Sequence, residues 1–340
     1  MWKFIFTEMG IKGKKDKLYL INGVANIEAD LTLSHLRILM AIIKSLQTSI
    51  CYFVVKEKGI PKERSLPPGG VYEGAKVRRL RIPVTDFNMP QNNSRLRSCL
   101  EEMKSVGCIF SNGSSFDGFI AGFNYAQYSR YVDVYIPEEL TKLLLNPSDG
   151  FFYFFDHEAQ SMTNKYILRI YWLVCSWRGR GGFVISVENF RRIMGITERY
   201  SRIDNLEQKI LIPAREYMKS HFTLWFQYRR YDQAGGPLLA FKLKVELSEE
   251  QRQEILSNTG FYCRNLLSSY GLKVEQIEKF MAMIEPEDYP LLVSKMAQIR
   301  DYIGRHPDIR DKAAYFLSSL LTWQDNWLEM FRDPSDEDSL

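Results

Sequence analysis

Apolar residues recur at helical spacing in Leu36, Leu39, Met40, Ile43 and Leu46, which predicts an amphipathic helix opened by Leu31-Thr32-Leu33-Ser34. A Pro/Gly-rich segment, residues 59–74, interrupts as an inserted loop or hairpin before a strand at 80–84. A helix pair follows, its second member over 93–106 with Leu96, Leu100 and Met103 on one face. Alternating, aromatic-rich strands are predicted at 108–110, 118–124 and 131–136.

The same order then returns. A helix is predicted over 162–177, apolar at Ile167, Ile170, Tyr171 and Val174, with a glycine turn at 179–182. A strand at 183–187, a short helix at 187–194, a longer helix at 201–219 and a hairpin (223–230 and 238–245) complete it. Two short matches mark the recurrence. Ile82-Pro83-Val84-Thr85-Asp86-Phe87 returns as Ile185-Ser186-Val187-Glu188-Asn189-Phe190, and Glu102-Met103-Lys104-Ser105 as Tyr217-Met218-Lys219-Ser220. Helix, strand, helix, helix, hairpin is winged-helix order, with the second helix of the pair in the reading position. Beyond residue 248 the pattern is helical only, in segments at 249–257, 264–270, 273–284, 289–304 and 311–321, before an acidic tail. The expected fold is therefore α+β. A first winged-helix domain spans 1–147 with a loop inserted at 56–80, a second spans 148–247, and an all-helical region spans 248–340.

Charge sharpens this picture. Residues 1–150 hold 20 Lys+Arg against 15 Asp+Glu, residues 151–247 hold 15 against 9, and residues 248–340 hold 10 against 17. A basic first two-thirds suits a polyanion, because each neutralised phosphate releases condensed counterions. The acidic last third does not; it suits basic protein partners, and Phe316, Leu320 and Trp323 offer an apolar helix face either for docking or for packing onto the second winged helix.

On the 201–219 helix, Leu206, Ile210 and Ala214 fall on one side, and Arg202, Asn205 and Lys209 fall together on the other. Arg grips guanine and Asn grips adenine bidentately, while Ser201, Tyr200 and Lys209 suit phosphates, in a stretch that opens with Arg199. The equivalent face of the first copy is Asn93, Ser94, Arg95 and Arg97, with Lys104 at its end. Asn93 and Ser94 serve equally well as an ordinary helix cap. Arg229 and Arg230 on the second wing suit phosphate contact, whereas 111–115 in the first copy reads as a turn. Lys12, Lys14, Lys15 and Lys17 either reach phosphates or line a strand edge.

Catalysis finds no support in the motifs. His35, His157, His221 and His306 have no partner at metal-ligand spacing, and no phosphate-binding G-x-x-x-x-G-K-[ST] loop occurs. The five cysteines are scattered, no apolar run is long enough for a membrane, and Met1–Phe6 is too short for a signal core. A cytoplasmic protein without metal, cofactor or membrane partner is expected.

The motifs carry a resemblance. Asn164-Lys165-Tyr166, Arg169-Ile170-Tyr171, residues 182–190, Met194-Gly195-Ile196, Tyr200-Ser201-Arg202 and residues 211–216 resemble the second winged-helix domain of theta-type plasmid replication initiators, the Rep proteins. Residues 31–46 and 82–105 resemble their first domain, so the likeness runs over about 15–247. It implies binding of directly repeated origin sites (iterons) in double-stranded DNA by a monomer through both winged helices. It also implies a homodimer that represses its own promoter, and recruitment of the host initiator and replicative helicase. Copies would pair through the aromatic strands at 119–125 and 131–136. A winged-helix transcription regulator without initiator activity is the alternative, since the same contacts serve both. A rolling-circle nicking enzyme would need a histidine-rich metal site beside a tyrosine, and no H-x-H is present.

Overall fold

The structure is a computed structural model, and it describes residues 17–57, 69–89, 93–126, 128–146, 150–233 and 235–331. The chain packs as two compact units, each assembled from two stretches: Met1–Ser176 with Glu188–Leu211, and Trp177–Val187 with Ile212–Leu340.

The first unit opens with strand β1 (Lys17–Ile21) and a single helical turn, α1 (Asn22–Ala25), then the long helix α2 (Leu33–Glu57). Helix α2 starts at a reciprocal cap. The Thr32 hydroxyl accepts from the His35 N–H (3.2 Å), and the Thr32 N–H donates to His35 Nδ1 (3.3 Å). Strands β2 (Gly69–Tyr72) and β3 (Ala75–Pro83) form a hairpin, so residues 75–80, assigned to the inserted loop by sequence, are strand. After a 3-10 turn at Val84–Phe87 come helix α3 (Asn93–Glu102), strands β4 (Cys108–Ile109), β5 (Ser115–Phe116), β6 (Gly122–Asn124) and β7 (Tyr131–Pro137), and helix α4 (Glu138–Leu144). Their order in the sheet is β2-β3-β7-β6, while β4 and β5 pair with each other. Because β7 is hydrogen-bonded on both sides, it has no edge to offer a second copy, contrary to the pairing expected from its aromatic pattern.

Strand β8 (Phe151–Phe155) pairs antiparallel with β1, from beyond the division placed at 147. Helices α5 (Asp156–Ser161) and α6 (Lys165–Trp177) follow; the sequence pattern started the second three residues early, at 162, and did not name the first. The unit ends with α7 (Val187–Met194), α8 (Ile203–Leu206) and a π-turn at Glu207–Leu211.

The second unit holds β9 (Gly182–Ser186), helix α9 (Ile212–His221), β10 (Leu224–Gln233) and β11 (Gly236–Val245), with sheet order β10-β11-β9. This repeats the β6-β7-β3 arrangement: the strand before the helix pair lies beside the last wing strand in both. The internal repeat of the sequence is thereby a repeat of topology. Phe87 and Phe190 are both fully buried at the matched strand-to-helix step, as are Met103 and Met218 at the second match. The architecture is α+β, two tandem winged helices and a helical C-terminal region.

That region comprises α10 (Glu249–Ser269), α11 (Val274–Ala282), α12 (Tyr289–Arg305) and α13 (Lys312–Phe331). Helix α10 runs unbroken where two helices were expected; a Ser248–Gln251 capping box starts it, and buried Gly260 lets Tyr289 approach. Phe316 and Leu320 lie in the core of these helices, so they are not a docking face.

Nor is the region separate from the wing sheet. Leu239, Ala240, Phe241, Lys242 and Leu243 are buried consecutively, which marks a strand covered on both faces. On one face Phe241 stacks on Phe183 (centroids 4.6 Å apart). On the other, Lys242 Nζ meets Asp288 at 2.5 Å, and Gly182 lies against the Trp327 ring. At Gly181, with φ +71°, a Cβ would sit 2.8 Å from Leu291 Cβ, so the Gly181-Gly182 pair lets the helices close on the sheet. The division expected at 247/248 therefore runs through a packed layer. Both partners of the Lys242–Asp288 pair are buried. Asp288→Ala strands the ammonium, and should cost about 3–5 kcal/mol in chemical denaturation; a loss below about 1 kcal/mol would mean that water reaches the site.

Candidate nucleic-acid interface

The reading helix of the second winged helix is built in three consecutive pieces: α8, the π-turn and α9. Pro213 accounts for the break. It has no N–H to donate, and its ring would clash with the Lys209 carbonyl in a regular helix, so the preceding turn widens. Leu206, Ile210, Ala214 and Met218 are buried along one side. Arg202, Asn205, Gln208 and Lys209 are exposed. The helix begins at Ile203, two residues later than expected, leaving Ser201 and Arg202 in the entry loop.

That loop is held open by a residue the sequence reading overlooked. Tyr200 adopts φ +55°, and Arg191 Nη2 donates to the carbonyls of Tyr200 (2.8 Å) and Ser201 (2.7 Å). Arg191 thus ties α7 to the start of the reading helix. The Arg202 side chain is 79% exposed and approaches Asp204 at 3.8 Å. Arg199 is exposed and Tyr200 half-buried.

In the first winged helix, Leu96, Leu100 and Met103 face inward, and Ser94, Arg95 and Arg97 are exposed. Asn93 is the first residue of α3, and its side chain lies outside the described ones. Arg97 donates to the Tyr125 carbonyl, and Lys104, in the turn after the helix, meets Glu101 at 2.6 Å. Of the wing arginines, adjacent in β10 and hence on opposite faces, Arg229 donates through Nε to the Met330 carbonyl at 3.1 Å, while Arg230 is exposed. The 111–115 segment is a turn: Gly113 has φ +85° and Asn112 Oδ1 accepts from the Ser114 N–H. Of the amino-terminal lysines, Lys12, Lys14 and Lys15 lie outside the described residues, and buried Lys17 places Nζ 3.9 Å over the Tyr153 ring.

Cys99 and Glu102, one turn apart on α3, and His35, distant in sequence, bring their ligand atoms within 4.8 Å of one another. The Thr32 N–H points at Nδ1, so Nε2 carries the imidazole proton and donates to Glu102 at 2.9 Å. A metal at Nε2 would have to expel that proton against the Thr32 donor. The trio is suited to joining α2 to α3, and burial pushes the Cys99 thiol upward. Elsewhere, a groove of about 640 Å³ between the wing sheet and α13 is lined by Val184, Tyr231, Lys295, Trp323, Trp327 and Met330; no reading residue lines it.

Residues 186–244 match the family model described as initiator Rep protein, WH2. This segment is what the chain shares with that family model. It begins at the last residue of β9, contains α7, the entry loop and the whole reading helix, and ends one residue before β11 does. Among solved structures, the crystal structure of the Pi initiator protein in complex with iteron DNA is similar over 70% of this chain and 100% of that chain, with 13% identity and a TM-score of 0.48. No curated protein matches the chain.

The π-turn was open to sequence reasoning through Pro213, a proline inside a helical pattern. The Arg191 staple was not, because an arginine on a short amphipathic helix gives no sign of its acceptors. If Arg202 reads a base, Arg202→Ala should cost ~1–3 kcal/mol on the specific duplex and relax selectivity at one position. Equal weakening on every sequence, measured by competition binding, would make it a phosphate contact instead.

Proposed function

We propose that this chain binds repeated sites in double-stranded origin DNA and initiates replication of a plasmid. The observation that carries this is the match over residues 186–244. It falls on the segment whose reading helix buries Leu206, Ile210 and Ala214 and turns Arg202, Asn205 and Lys209 to solvent. Arg202 and Asn205 read base edges, with Tyr200, Ser201, Lys209 and Arg230 on phosphates and Arg199 beside them. Ser94, Arg95, Arg97 and Asn93 make the corresponding contacts from the first winged helix. Arg97, Arg229 and Lys104 contribute less, being held by the Tyr125 carbonyl, the Met330 carbonyl and Glu101.

Initiation works by binding free energy: two helices in successive major grooves favour a bent duplex and the opening of a nearby A·T-rich tract. Recruitment of the host initiator and replicative helicase, and repression by a homodimer, complete the role that the Rep resemblance implies. The chain acts without catalytic chemistry of its own. Among the described residues no helix is long and apolar enough to cross a membrane.

A regulator would make the same contacts. The separating experiment supplies the chain in trans to a replicon that carries only the DNA flanking its gene. Stable maintenance of the replicon, lost in an Arg202→Ala/Asn205→Ala double variant, is expected. Repression of a reporter with no maintenance at any expression level would assign the chain to the regulators.

A further inference from the structure

Within the first unit, the short stretch of residues 27–30 touches the supports of both reading helices. On one side, Glu28 and Ile109 exchange backbone hydrogen bonds (2.8 and 3.0 Å), and Ile109 lies in β4, just after α3. His35, one turn into α2, holds Glu102, the last residue of α3. On the other side, the Arg169 guanidinium of α6 donates to the carbonyls of Ile27 and Ala29, the latter at 3.2 Å. Lys165 meets Asp30 at 2.9 Å, and Arg192 of α7 approaches Glu28 at 3.8 Å. Gly195, with φ +65°, comes so close that a Cβ there would lie 2.7 Å from the Ala29 carbonyl oxygen. Gly195 leads into the loop that Arg191 staples at the start of α8.

Arg169 is 2% exposed, and its hydrogen bonds go to backbone rather than to a carboxylate. A buried cation is costly, and apolar residues would fill the space at least as well. What an arginine adds is a planar fork that grips two carbonyls at a fixed angle. Burial lowers its pKa to about 10, so it keeps its charge at neutral pH. We propose that Arg169 is a positioning residue for DNA reading: by clamping residues 27–30 it fixes the separation and angle of α3 and α8, and thereby selects the spacing between the two base-pair blocks that one chain accepts. This rests on the DNA-binding reading above.

The test uses a duplex selected from random sequence by the full-length wild-type chain. Affinities are measured for that duplex, for one with either block scrambled, and for versions with one or two base pairs inserted between the blocks. Two sites held rigidly bind as one, and that gain is lost when geometry is released. Arg169→Met should therefore lose ~tenfold or more on the intact duplex, stay within about twofold of wild type on a single block, and flatten the penalty for insertion. Arg169→Lys, with one donor group in place of the fork, should fall between. Parallel losses on all duplexes, or an unchanged spacing profile, overturn the proposal. If the Met variant does not fold, the spacing profile of the Lys variant decides by the same criterion. Failure of the wild type to select any duplex would instead sink the DNA-binding reading, and this proposal with it.

Discussion

A guanidinium in a dry interior, donating to the backbone carbonyls of Ile27 and Ala29, organises the first unit. Carbonyls in a connecting segment have no strand or helix to satisfy them, and a buried one must find a donor. Arg169 supplies one to Ile27, and to Ala29 a second beside the Leu31 N–H, from the centre of α6, where every residue from Ile167 to Cys175 is buried. The connection between β1 and α2 is thereby drawn into the interior. The neighbouring contacts depend on this: Asp30 is brought to Lys165, Glu28 to Arg192 and Ile109, and Gly195 can come within contact of the Ala29 carbonyl. A looser connection would leave α3 and α8 without the contacts they share through residues 27–30.

The helical C-terminal region imposes a second constraint, on the wing. A free hairpin alternates apolar and polar positions; β11 instead buries five residues in succession. Phe241 and Phe183 fill one side, and Lys242 with Asp288 the other. Arg229 is drawn to Met330 by the same packing, leaving Arg230 as the wing cation turned the other way. Helices α10 to α13 are thus part of the same compact unit as the wing.

Much of this was legible in the sequence where the signal is local. The repeated Ile-x-Val-x-x-Phe stretch marks the same strand-to-helix step twice because both copies bury the phenylalanine there. Helical spacing named the buried face of the second reading helix, Leu206, Ile210 and Ala214, and left Arg202, Asn205 and Lys209 outward. What was not legible is non-local. The pairing of β1 with β8 joins strands more than a hundred residues apart, and either strand alone reads only as a short apolar run. The spacing of Phe316, Leu320 and Trp323 is that of an amphipathic face, but spacing does not say whether other helices of the chain cover it; they bury the first two. Arg169 looked like one polar residue in an apolar helix, and only the fold shows the carbonyls it holds.

The central claim is that one chain reads two adjacent stretches of duplex with two linked reading helices. Hydroxyl-radical footprinting on the DNA flanking its own gene tests this most directly. The account predicts, at each repeat, two protected patches about one helical turn apart on the same face of the duplex, the second lost when Arg202, Asn205 and Lys209 are replaced together. A single patch per repeat, or uniform protection without sequence preference, would contradict it.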